Sequence, residues 1–404
     1  MTNKVLFLSH EASRTGAPIM LLNIQRWLRR HDSISFRTVT ASPGDLSREF
    51  ATLGKVDSVE PGDLLYRAMR RFDMHHFAQS NHLARLQKDL SKDRFGLVYV
   101  NSIASGRLLE RLPIGDCEVL CHVHELAGAI RSVGLTNLAA LERRRPRYIA
   151  VSDAVRDCLI EDFDIAPHRI EVVEPFIPEL EEDSPNAEEA RLGLAHELDI
   201  PPDVSIVCGC GSIETRKGTD LFIEVARQVA GGVSGRNVQF VWVGGAPDKV
   251  KTMQRRLKSE APAAQVRFVG RKADVDRYFA ASDVFLLTSR EEAFGLVVLE
   301  AARRNTPTIC FDASDAARRF VEPDAGFSVA KFDVAEMSRK VIEFLSSPSL
   351  REQMGRAAKR KFETHHTPGQ GGRAIASLIQ DAMRRKSGAA PGENLIGFRE
   401  MRTE

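Results

Sequence analysis

The feature that most constrains the fold is the regular alternation of short apolar runs with longer helical segments along the whole chain. Apolar runs of strand length stand at residues 4–9, 36–40, 97–100, 118–122, 148–151, 205–209, 238–245, 265–270, 283–287 and 308–311. Strands that alternate with helices predict parallel sheets, because parallel neighbours need a long crossover connection. The predicted fold class is therefore α/β, with ligands expected at the carboxyl ends of the strands.

The length and composition fit a two-domain globular protein. A chain of 404 residues is too long for one ordinary core. Hydrophobic residues make up 43% and charged residues 28%, which are proportions of soluble globular proteins. The formal net charge is only +2, so nothing in it calls for nucleic acid as a partner. No run of eighteen apolar residues and no secretory signal is visible, so we expect a cytoplasmic protein.

The cysteines predict neither a metal site nor a disulfide framework. The six cysteines stand at positions 117, 121, 158, 208, 210 and 310, with no C-x-x-C pair and no paired ligand spacing. Those in strand-like runs are expected to be small buried thiols. Disulfides are not expected in a reducing compartment.

A basic stretch rich in Arg and His occupies residues 64–90. An amphipathic helix of this kind fits contact with an anionic membrane surface or with a charged acceptor. A solvated helix with alternating charges is the plainer alternative.

Two glutamates in the segment SREEAFGLVVLEAARRNTP, residues 289–307, mark the main candidate site. The pattern predicts a buried strand, a tight turn over residues 289–295, and then a helix. A helix that begins beside the carboxyl end of a parallel strand offers free N–H groups to a phosphate, and Gly295 permits a close approach. Glu292 and Glu300 are on the order of 10 Å apart, too far to share a metal. They could hold opposite ends of a nucleotide sugar, with Glu300 accepting two vicinal hydroxyls; incidental acids on a surface helix are the alternative.

Two cations follow the strand at residues 205–209. The glycines nearby lack the third member of a G-x-G-x-x-G loop, which excludes that dinucleotide fingerprint. Arg216 and Lys217 stand at the entrance of a helix, where they oppose the helix dipole unless an anion lies between them. The pair therefore predicts a phosphate site.

Two histidines end the strand at residues 118–122 on the side where α/β sheets place ligands. Strand alternation puts His122 and His124 on the same side. They are candidates for one cleft, and structural histidines, or zinc ligands lacking a third partner, are the alternatives. Gly16 follows the first strand and precedes an amphipathic helix that the sequence predicts over residues 18–30. It marks a close backbone approach.

These motifs together resemble the retaining glycosyltransferases of family 4, through E-x7-E with F-G-L-x-x-L-E inside it. The resemblance covers nearly the whole chain and implies the GT-B fold, two facing Rossmann-like domains with parallel sheets. It implies a nucleotide-sugar donor, a glycan, lipid-linked or small-molecule acceptor, no cofactor and no metal. The catalytic residues that it implies are His124 and Glu292. The donor-binding residues that it implies are Gly16, Arg216, Lys217, Gly270, Arg271, Phe294, Gly295, Leu296 and Glu300.

Within that resemblance, Glu300 contacts the ribose, Glu292 the donor sugar, and the amides of residues 294–296 the diphosphate. Gly270 and Arg271 are the expected contacts of the base. The chain departs from the family at the diphosphate, where Asp315 and Ala316 replace a Gly-Gly pair. A negative side chain there is unfavourable for binding of the diphosphate. This departure keeps open a non-catalytic GT-B subunit that scaffolds a polysaccharide assembly. A nucleotide-sugar epimerase also stays open.

The domain organisation follows from composition and from the same resemblance. Five of the eighteen prolines and an acidic run fall within residues 175–203, which predicts a linker. The expected order is a first, acceptor-side domain over residues 1–180, the linker over 181–203 and a nucleotide-sugar-binding domain over 204–365. A crossover helix over 366–386 and a flexible tail over 387–404 complete it. We expect the protein in the cytoplasm, at the inner face of the membrane if the acceptor is lipid-linked.

Overall fold

The structure is a computed structural model that describes residues 4–61, 76–232, 238–260 and 265–386. By its internal contacts the chain divides into two units, Met1–Glu174 with Pro368–Glu404, and Pro175–Thr367. The first unit thus ends just before the expected boundary at residue 180, and the segment expected as linker lies within the second unit. The expected tail and residues 64–75 of the basic stretch lie outside the described residues.

The first unit is built on a parallel sheet with the strand order β3-β2-β1-β4-β5-β6-β7. Its strands are β1 (Lys4–Ser9), β2 (Ser35–Thr40), β3 (Lys55–Ser58), β4 (Leu97–Asn101), β5 (Glu118–Val123), β6 (Arg147–Ala150) and β7 (Ile170–Val172). Its described helices are α1 (Gly16–His31), α2 (Ser47–Leu53), α3 (His76–Leu90), α4 (Leu108–Arg111), α5 (Ala127–Val133), α6 (Leu135–Glu142), α7 (Asp153–Glu161) and, from the chain's end, α16 (Pro368–Lys386).

Helix α16 completes the first unit by packing on α1 and on the central strands. Ile375 and Ile379 of α16 are fully buried. The helix comes so close to α1 that a Cβ at Gly372 would lie 2.4 Å from the Trp27 indole. The last helix is therefore an integral part of this unit, although it follows the second unit in the chain.

The second unit is built on a parallel sheet with the strand order β10-β9-β8-β11-β12-β13. Its strands are β8 (Ser205–Cys210), β9 (Val238–Val243), β10 (Val266–Gly270), β11 (Val284–Leu287), β12 (Thr308–Phe311) and β13 (Gly326–Val329). Its helices are α8 (Ala187–Leu198), α9 (Thr219–Gly232), α10 (Pro247–Glu260), α11 (Asp276–Ala280), α12 (Leu296–Arg303), α13 (Asp315–Val321), α14 (Val334–Ser346) and α15 (Pro348–His365). The predicted class, parallel sheets with crossover helices, is confirmed.

Helix α8 shows why the acidic, proline-rich segment belongs to the second unit. Leu194 on its inner face is fully buried. Glu197 accepts hydrogen bonds from Lys272 and from the Tyr278 hydroxyl, each at 2.7 Å. Packing and polar contacts therefore fix the helix to this unit. Among the described helices, none is long and apolar enough to cross a membrane.

Candidate active site

Each sheet has one point where the strand order reverses, and several of the residues singled out from the sequence lie at or beside these points. In the second unit, β8 and β11 are neighbours although β9 and β10 come between them in the chain. The connections leave the two strands in opposite directions and open a crevice at their carboxyl ends, where α/β sheets bind ligands. Lys217 follows β8 and Glu292 follows β11, so the fold brings them together.

Lys217 and Glu292 form a nearly buried ion pair. Lys217 Nζ lies 2.5 Å from Glu292 Oε2, and the side chains are 15% and 10% exposed. Ser289 Oγ donates to the same oxygen at 3.1 Å. Burial alone would raise the pKa of Glu292, but the charges of Lys217 and Arg216 and the two hydrogen bonds outweigh it and hold the pKa below its ordinary value. Glu292 is therefore ionised at neutral pH and balances the cations that follow β8.

Backbone contacts lock the loops after β8 and β11 together. The hydroxyl of Thr288 donates to the carbonyl of Lys217 at 3.1 Å, and the Arg290 N–H donates to the carbonyl of Arg216 at 2.7 Å. Gly218 has a φ of +67°, and a Cβ there would lie 1.9 Å from the Thr288 carbonyl oxygen. Only glycine satisfies both the left-handed conformation and this close approach.

Helix α12 begins directly after Gly295, whose φ of +88° favours glycine. The first N–H groups of the helix have no partner within it and stand at the carboxyl edge of the sheet. Phe294 is only 4% exposed, and its ring centroid lies 5.3 Å from that of the buried His366. The Phe294 side chain thus anchors the turn, while the backbone of Gly295 and Leu296 is the part that a ligand could meet.

Glu300 lies further along α12 and is partly exposed. Among the described residues, none forms a hydrogen bond or ion pair with its carboxylate. Burial raises the pKa of Glu300 to about 7, with Arg303 opposing the shift and Asp276 adding to it. The carboxyl group is therefore close to half ionised at neutral pH, and hydroxyl donors would favour its ionised form.

The other predicted residues of this unit lie at the same edge of the sheet. Arg216 is 39% exposed and donates to the Glu291 carbonyl at 3.2 Å. Gly270 ends β10 with a φ of +73°, and its carbonyl accepts from the Gly244 N–H at 2.8 Å. Arg271, the next residue, is exposed. Arg216 thus stands in the loop that carries Lys217, whereas Gly270 and Arg271 follow the edge strand β10.

Asp315, which the sequence suggested would oppose anion binding, has its charge compensated. It is the first residue of α13, and its carboxylate pairs with Arg318 at 2.6 Å and with Arg319 at 2.9 Å. Both arginines belong to the same helix. The electrostatic objection drawn from this departure is therefore weaker than the sequence suggests.

In the first unit the strand order reverses between β1 and β4, and a hydrogen-bonded chain crosses that point. His124, after β5, has its Nε2 2.9 Å from Asn101 Oδ1 at the end of β4. Asn101 Nδ2 donates to the Ala17 carbonyl at 3.0 Å, at the start of α1. Gly16 is the exposed first residue of that helix. The predicted Gly16 and His124 are thus joined through an asparagine.

His122 and His124 lie on the same side of β5, with ring centroids 4.2 Å apart. His122 is fully buried and bonds through Nδ1 to the Tyr99 hydroxyl at 2.7 Å. Burial lowers the pKa of His122 to about 3. Burial, then His122 and His10, hold the pKa of His124 well below its usual value. Both rings are neutral at physiological pH, and only His124 is partly accessible.

The structure therefore assembles two sets of predicted residues, one within each unit. Gly16, His122 and His124 belong to the first set, and the remaining predicted residues belong to the second. Within the described parts of the chain, no group of three His, Cys, Asp or Glu side chains is arranged to hold a metal ion. All six cysteines are free thiols, and Cys210 is partly exposed at the end of β8.

Sequence reasoning missed three residues that shape these sites. Asn101 ends the apolar run LVYVN, and a polar residue closing a strand was the signal. Ser289 and Arg290 stand in the turn already singled out. Arg290 donates to both carboxylate oxygens of Asp220 and so ties the turn to the start of α9.

A comparison with protein families matches residues 194–361 to the family described as glycosyl transferases group 1. The matched segment contains Lys217, Glu292 and Glu300, whereas Gly16 and His124 lie before it. The match confirms the resemblance to glycosyltransferases drawn from the motifs.

Curated relatives are similar over part of their length. The D-inositol 3-phosphate glycosyltransferase of Streptomyces avermitilis is 28% identical over 241 residues, 54% of this chain and 48% of the relative. The lipopolysaccharide core biosynthesis mannosyltransferase LpcC of Rhizobium leguminosarum bv. viciae is 26% identical over 258 residues, 60% of this chain and 66% of the relative. The chain thus spans less than two thirds of the length of these relatives.

Solved structures match nearly the whole chain. Anabaena Alr3699/HepE in complex with UDP-glucose superposes with a TM-score of 0.75 at 18% identity, covering 93% of this chain and 99% of the other. WaaG, a glycosyltransferase involved in lipopolysaccharide biosynthesis, gives a TM-score of 0.68 at 19% identity with the same coverage. At such identities the likeness shows the fold alone, the GT-B fold of glycosyltransferases.

Proposed function

We propose that this chain, whose residues 194–361 match the group 1 glycosyltransferases, is a retaining glycosyltransferase of the family 4 type. In the proposal it moves a sugar from a UDP- or GDP-linked donor to a glycan, lipid-linked or small-molecule acceptor. The biological process that we propose for it is the assembly of cell-surface polysaccharides. The curated relative LpcC is named for lipopolysaccharide core biosynthesis, which supports this process.

The observation that carries the proposal is the set of anion-binding groups at the reversal point of the second sheet. The Lys217 ammonium lies beside the start of α12, against a loop fixed by Gly218 and Thr288. A cation, free backbone N–H groups and the positive end of a helix dipole converge there, which is the arrangement that binds a diphosphate. Glu300 follows on the same helix, where it can accept two ribose hydroxyls.

In the proposed reaction, the bond between the anomeric carbon and the diphosphate oxygen breaks, and an acceptor oxygen bonds to that carbon on the same face. Negative charge grows on the leaving phosphate. Lys217, Arg216 and the first amides of α12 stabilise this charge more strongly in the transition state than in the bound donor. A leaving phosphate oxygen takes the acceptor's proton, so the step needs no protein nucleophile.

The carboxylate of Glu292 and the imidazole of His124 orient the hydroxyls of the donor sugar in this proposal. Glu292 is ionised because Lys217 and Ser289 hold it so. It accepts hydrogen bonds and adds negative potential near the sugar, where positive charge develops as the glycosidic bond lengthens. The ion pair with Lys217 thus places one charge toward the sugar and the other toward the phosphate.

Release of nucleoside diphosphate, measured across UDP- and GDP-sugar donors with a panel of acceptors, tests the proposal. We expect turnover with at least one donor, and a fall of about 100-fold or more in the Lys217→Ala variant. Arg339→Ala is the matched control, because it removes a cation of the same unit that is 71% exposed on α14. NMR of the product's anomeric signal tests whether the configuration is retained, and an inverted product contradicts the proposed retention. No turnover with any donor contradicts the proposal that the protein is a glycosyltransferase.

The alternative function is a non-catalytic subunit that binds a nucleotide and scaffolds a polysaccharide assembly. Asp315 and Ala316, in place of two glycines, favour it. Tight binding of UDP or GDP by calorimetry, together with no turnover of any donor, would support the scaffold. A change of the donor sugar without transfer would support an epimerase.

The proposal includes no metal and no other cofactor, because the protein's own cations balance the diphosphate. We expect turnover to be unchanged by an excess of EDTA, and a loss that Mg²⁺ or Mn²⁺ restores contradicts this. The proposed location is the cytoplasm, at the inner face of the membrane when the acceptor is lipid-linked. Cell fractionation tests it.

A further inference from the structure

We propose that Asn101 is a positioning residue that fixes the tautomer of His124, so that the site of the first unit accepts a sugar hydroxyl and rejects a sugar carboxylate. The inference rests on the proposed function. It adds a residue that the sequence did not indicate and a substrate class, neutral donor sugars.

The first step is the orientation of the Asn101 amide. Its nitrogen must face the Ala17 carbonyl at 3.0 Å, because a carbonyl can only accept. Its oxygen then faces His124 Nε2 at 2.9 Å. An amide oxygen also can only accept, so Nε2 of His124 must carry the hydrogen. Asn101 is fully buried, so bulk water does not compete with it for either hydrogen bond.

The second step follows from the chemistry of neutral imidazole. When Nε2 carries the hydrogen, Nδ1 has a lone pair and no hydrogen. Among the described residues, none forms a hydrogen bond with His124 Nδ1. The ring therefore offers an acceptor, and a ligand must bring an O–H or N–H donor to satisfy it.

The third step concerns the charge of the ring. His122 lies against one side, with ring centroids 4.2 Å apart, and His10 also lies close enough to oppose a positive charge. Glu125 faces the backbone, where it accepts the His124 N–H at 2.9 Å and the Ser102 hydroxyl. Its carboxylate is thus used to fix the loop. Burial and the neighbouring rings keep His124 neutral, so the ring attracts no carboxylate.

These three steps lead to discrimination between donor sugars with a hydroxyl and donor sugars with a carboxylate. A sugar with a hydroxyl at the matching position donates to Nδ1, whereas a sugar carboxylate places two acceptors in contact. Leaving a buried acceptor unpaired costs enough to lower kcat/KM about 10- to 100-fold. We therefore expect UDP-glucose to be preferred over UDP-glucuronate, or GDP-mannose over GDP-mannuronate, by at least that factor.

The first test observes the tautomer without any substrate. Nitrogen NMR of histidine-labelled full-length protein, with His124 assigned through His124→Gln, should show a protonated Nε2 and an unprotonated Nδ1 between pH 6 and 8. Asn101→Ala should give mixed tautomers or a protonated ring. Asn101→Asp retains an acceptor for Nε2–H and should retain the tautomer. Unchanged His124 signals in Asn101→Ala would overturn the proposal.

The second test uses the matched donors that share one base. Asn101→Ala should lower kcat about tenfold and change the donor KM less than about threefold. The ratio of kcat/KM for the neutral donor to kcat/KM for the uronate donor should fall at least tenfold. The control is Asn137→Ala, which removes another buried asparagine that bridges two backbone segments, Arg107 and Val133. It should leave the ratio and the His124 signals unchanged. An equal narrowing in the control would overturn the proposal.

The two tests separate this inference from the proposed function. If no donor is turned over, the glycosyltransferase proposal fails, yet the NMR measurement still decides the role of Asn101. If donors are turned over and the tautomer is the opposite one, only the present inference fails. Where Asn101→Ala does not fold, the natural protein still carries the test, because an unprotonated Nε2 of His124 in its NMR spectrum would overturn the proposal.

Discussion

At the scale of single residues, the second unit keeps two opposite charges almost out of water. Lys217 and Glu292 are 15% and 10% exposed, and each is the main partner of the other. Such a pair is costly to break, because the remaining charge stays desolvated without compensation. This arrangement is suited to a site in which an incoming anion shares the ammonium group.

We predict that Lys217→Ala lowers the free energy of unfolding by about 3 kcal/mol, since it leaves the Glu292 carboxylate unpaired. The double variant Lys217→Ala with Glu292→Gln should recover most of that loss. Arg216→Ala, which removes a 39% exposed cation beside it, should cost under about 1 kcal/mol. Urea unfolding of the three variants measures these differences. Equal losses for the two single variants would contradict the prediction.

Glu300 gives a stability that depends on pH in the opposite sense to an ordinary carboxylate. Its pKa of about 7 in the folded protein lies above the ordinary value of 4.5 for this side chain. The contribution of the protonated group is therefore complete below about pH 4.5 and is lost as the pH rises through about 7. We expect Glu300→Gln to be more stable than the natural protein at pH 8, by about 1–2 kcal/mol after allowing for partial exposure. The gain should shrink toward pH 5 in thermal melts, and a gain that grows on acidification would contradict the assignment.

The same residue gives nucleotide binding a pH dependence. Hydroxyl donors on the ribose favour the ionised carboxylate, so binding of the nucleotide should strengthen as the pH rises from 6 to 8. Below the pKa the affinity should change by up to about tenfold per pH unit, and Glu300→Gln should flatten the profile. Calorimetric titration with UDP or GDP measures it. An unchanged slope in the variant would remove Glu300 from the site.

The site residues that could be predicted are those whose residue type is unusual at its place in the sequence. Paired glutamates after a strand and two cations at a helix entrance are conspicuous in a sequence. Asn101 and Ser289 are not, because one polar residue at the end of a strand usually only caps or solvates the chain. Their importance depends on which strands become neighbours, and that order is not local information.

At the scale of elements, the second site depends on two loops that must touch. A Cβ at Gly218 would lie 1.9 Å from the Thr288 carbonyl oxygen, in a backbone conformation that other residues avoid. The contact sets the distance between the loop that carries Lys217 and the turn that carries Glu292. Loop geometry and charge pairing are therefore coupled.

We predict that Gly218→Ala lowers the free energy of unfolding by more than about 2 kcal/mol and weakens nucleotide binding about tenfold or more, because the loops must separate. Gly231→Ala is the matched control. It lies on the exposed side of α9 in the same unit, and a Cβ there meets nothing within 4 Å. That variant should be neutral or stabilised by up to about 1 kcal/mol. Comparable losses in both variants, measured by urea unfolding and calorimetry, would contradict the steric explanation.

The elements with strong periodicity were predicted closely, and those without it were not. Helix α1 was expected over residues 18–30 and spans Gly16–His31. Strand β3, Lys55–Ser58, was missed because KVDS has no apolar run, as an edge strand needs none. The segment expected as linker holds α8, since prolines and acids at its ends conceal the apolar face that packs on the second unit.

At the scale of the whole molecule, the two units differ in whether one continuous stretch of the chain builds them. The second unit is continuous in sequence, and its core contains aromatic rings packed edge to face, with the Phe222 and Trp242 centroids 5.2 Å apart. The first unit is discontinuous, since it takes α16 from beyond the second unit. Composition cannot predict such a return of the chain, because an amphipathic helix does not specify which sheet it covers.

We therefore predict that a fragment of residues 175–367 folds alone, whereas a chain that ends at residue 367 keeps only its second unit intact. Loss of α16 exposes the apolar faces that Ile375 and Ile379 cover, and burial of each such side chain is worth about 2 kcal/mol. The two tryptophans report on the units separately, Trp27 from α1 and Trp242 from the second core. In the shortened chain, a Trp27→Phe variant keeps only Trp242, and its fluorescence should show the same thermal unfolding transition as the fragment. A Trp242→Phe variant keeps only Trp27, and its fluorescence at 20 °C should already resemble that of unfolded protein. Native-like Trp27 emission without α16 would show that the first unit does not need its last helix, and the division of the chain would have to be drawn elsewhere.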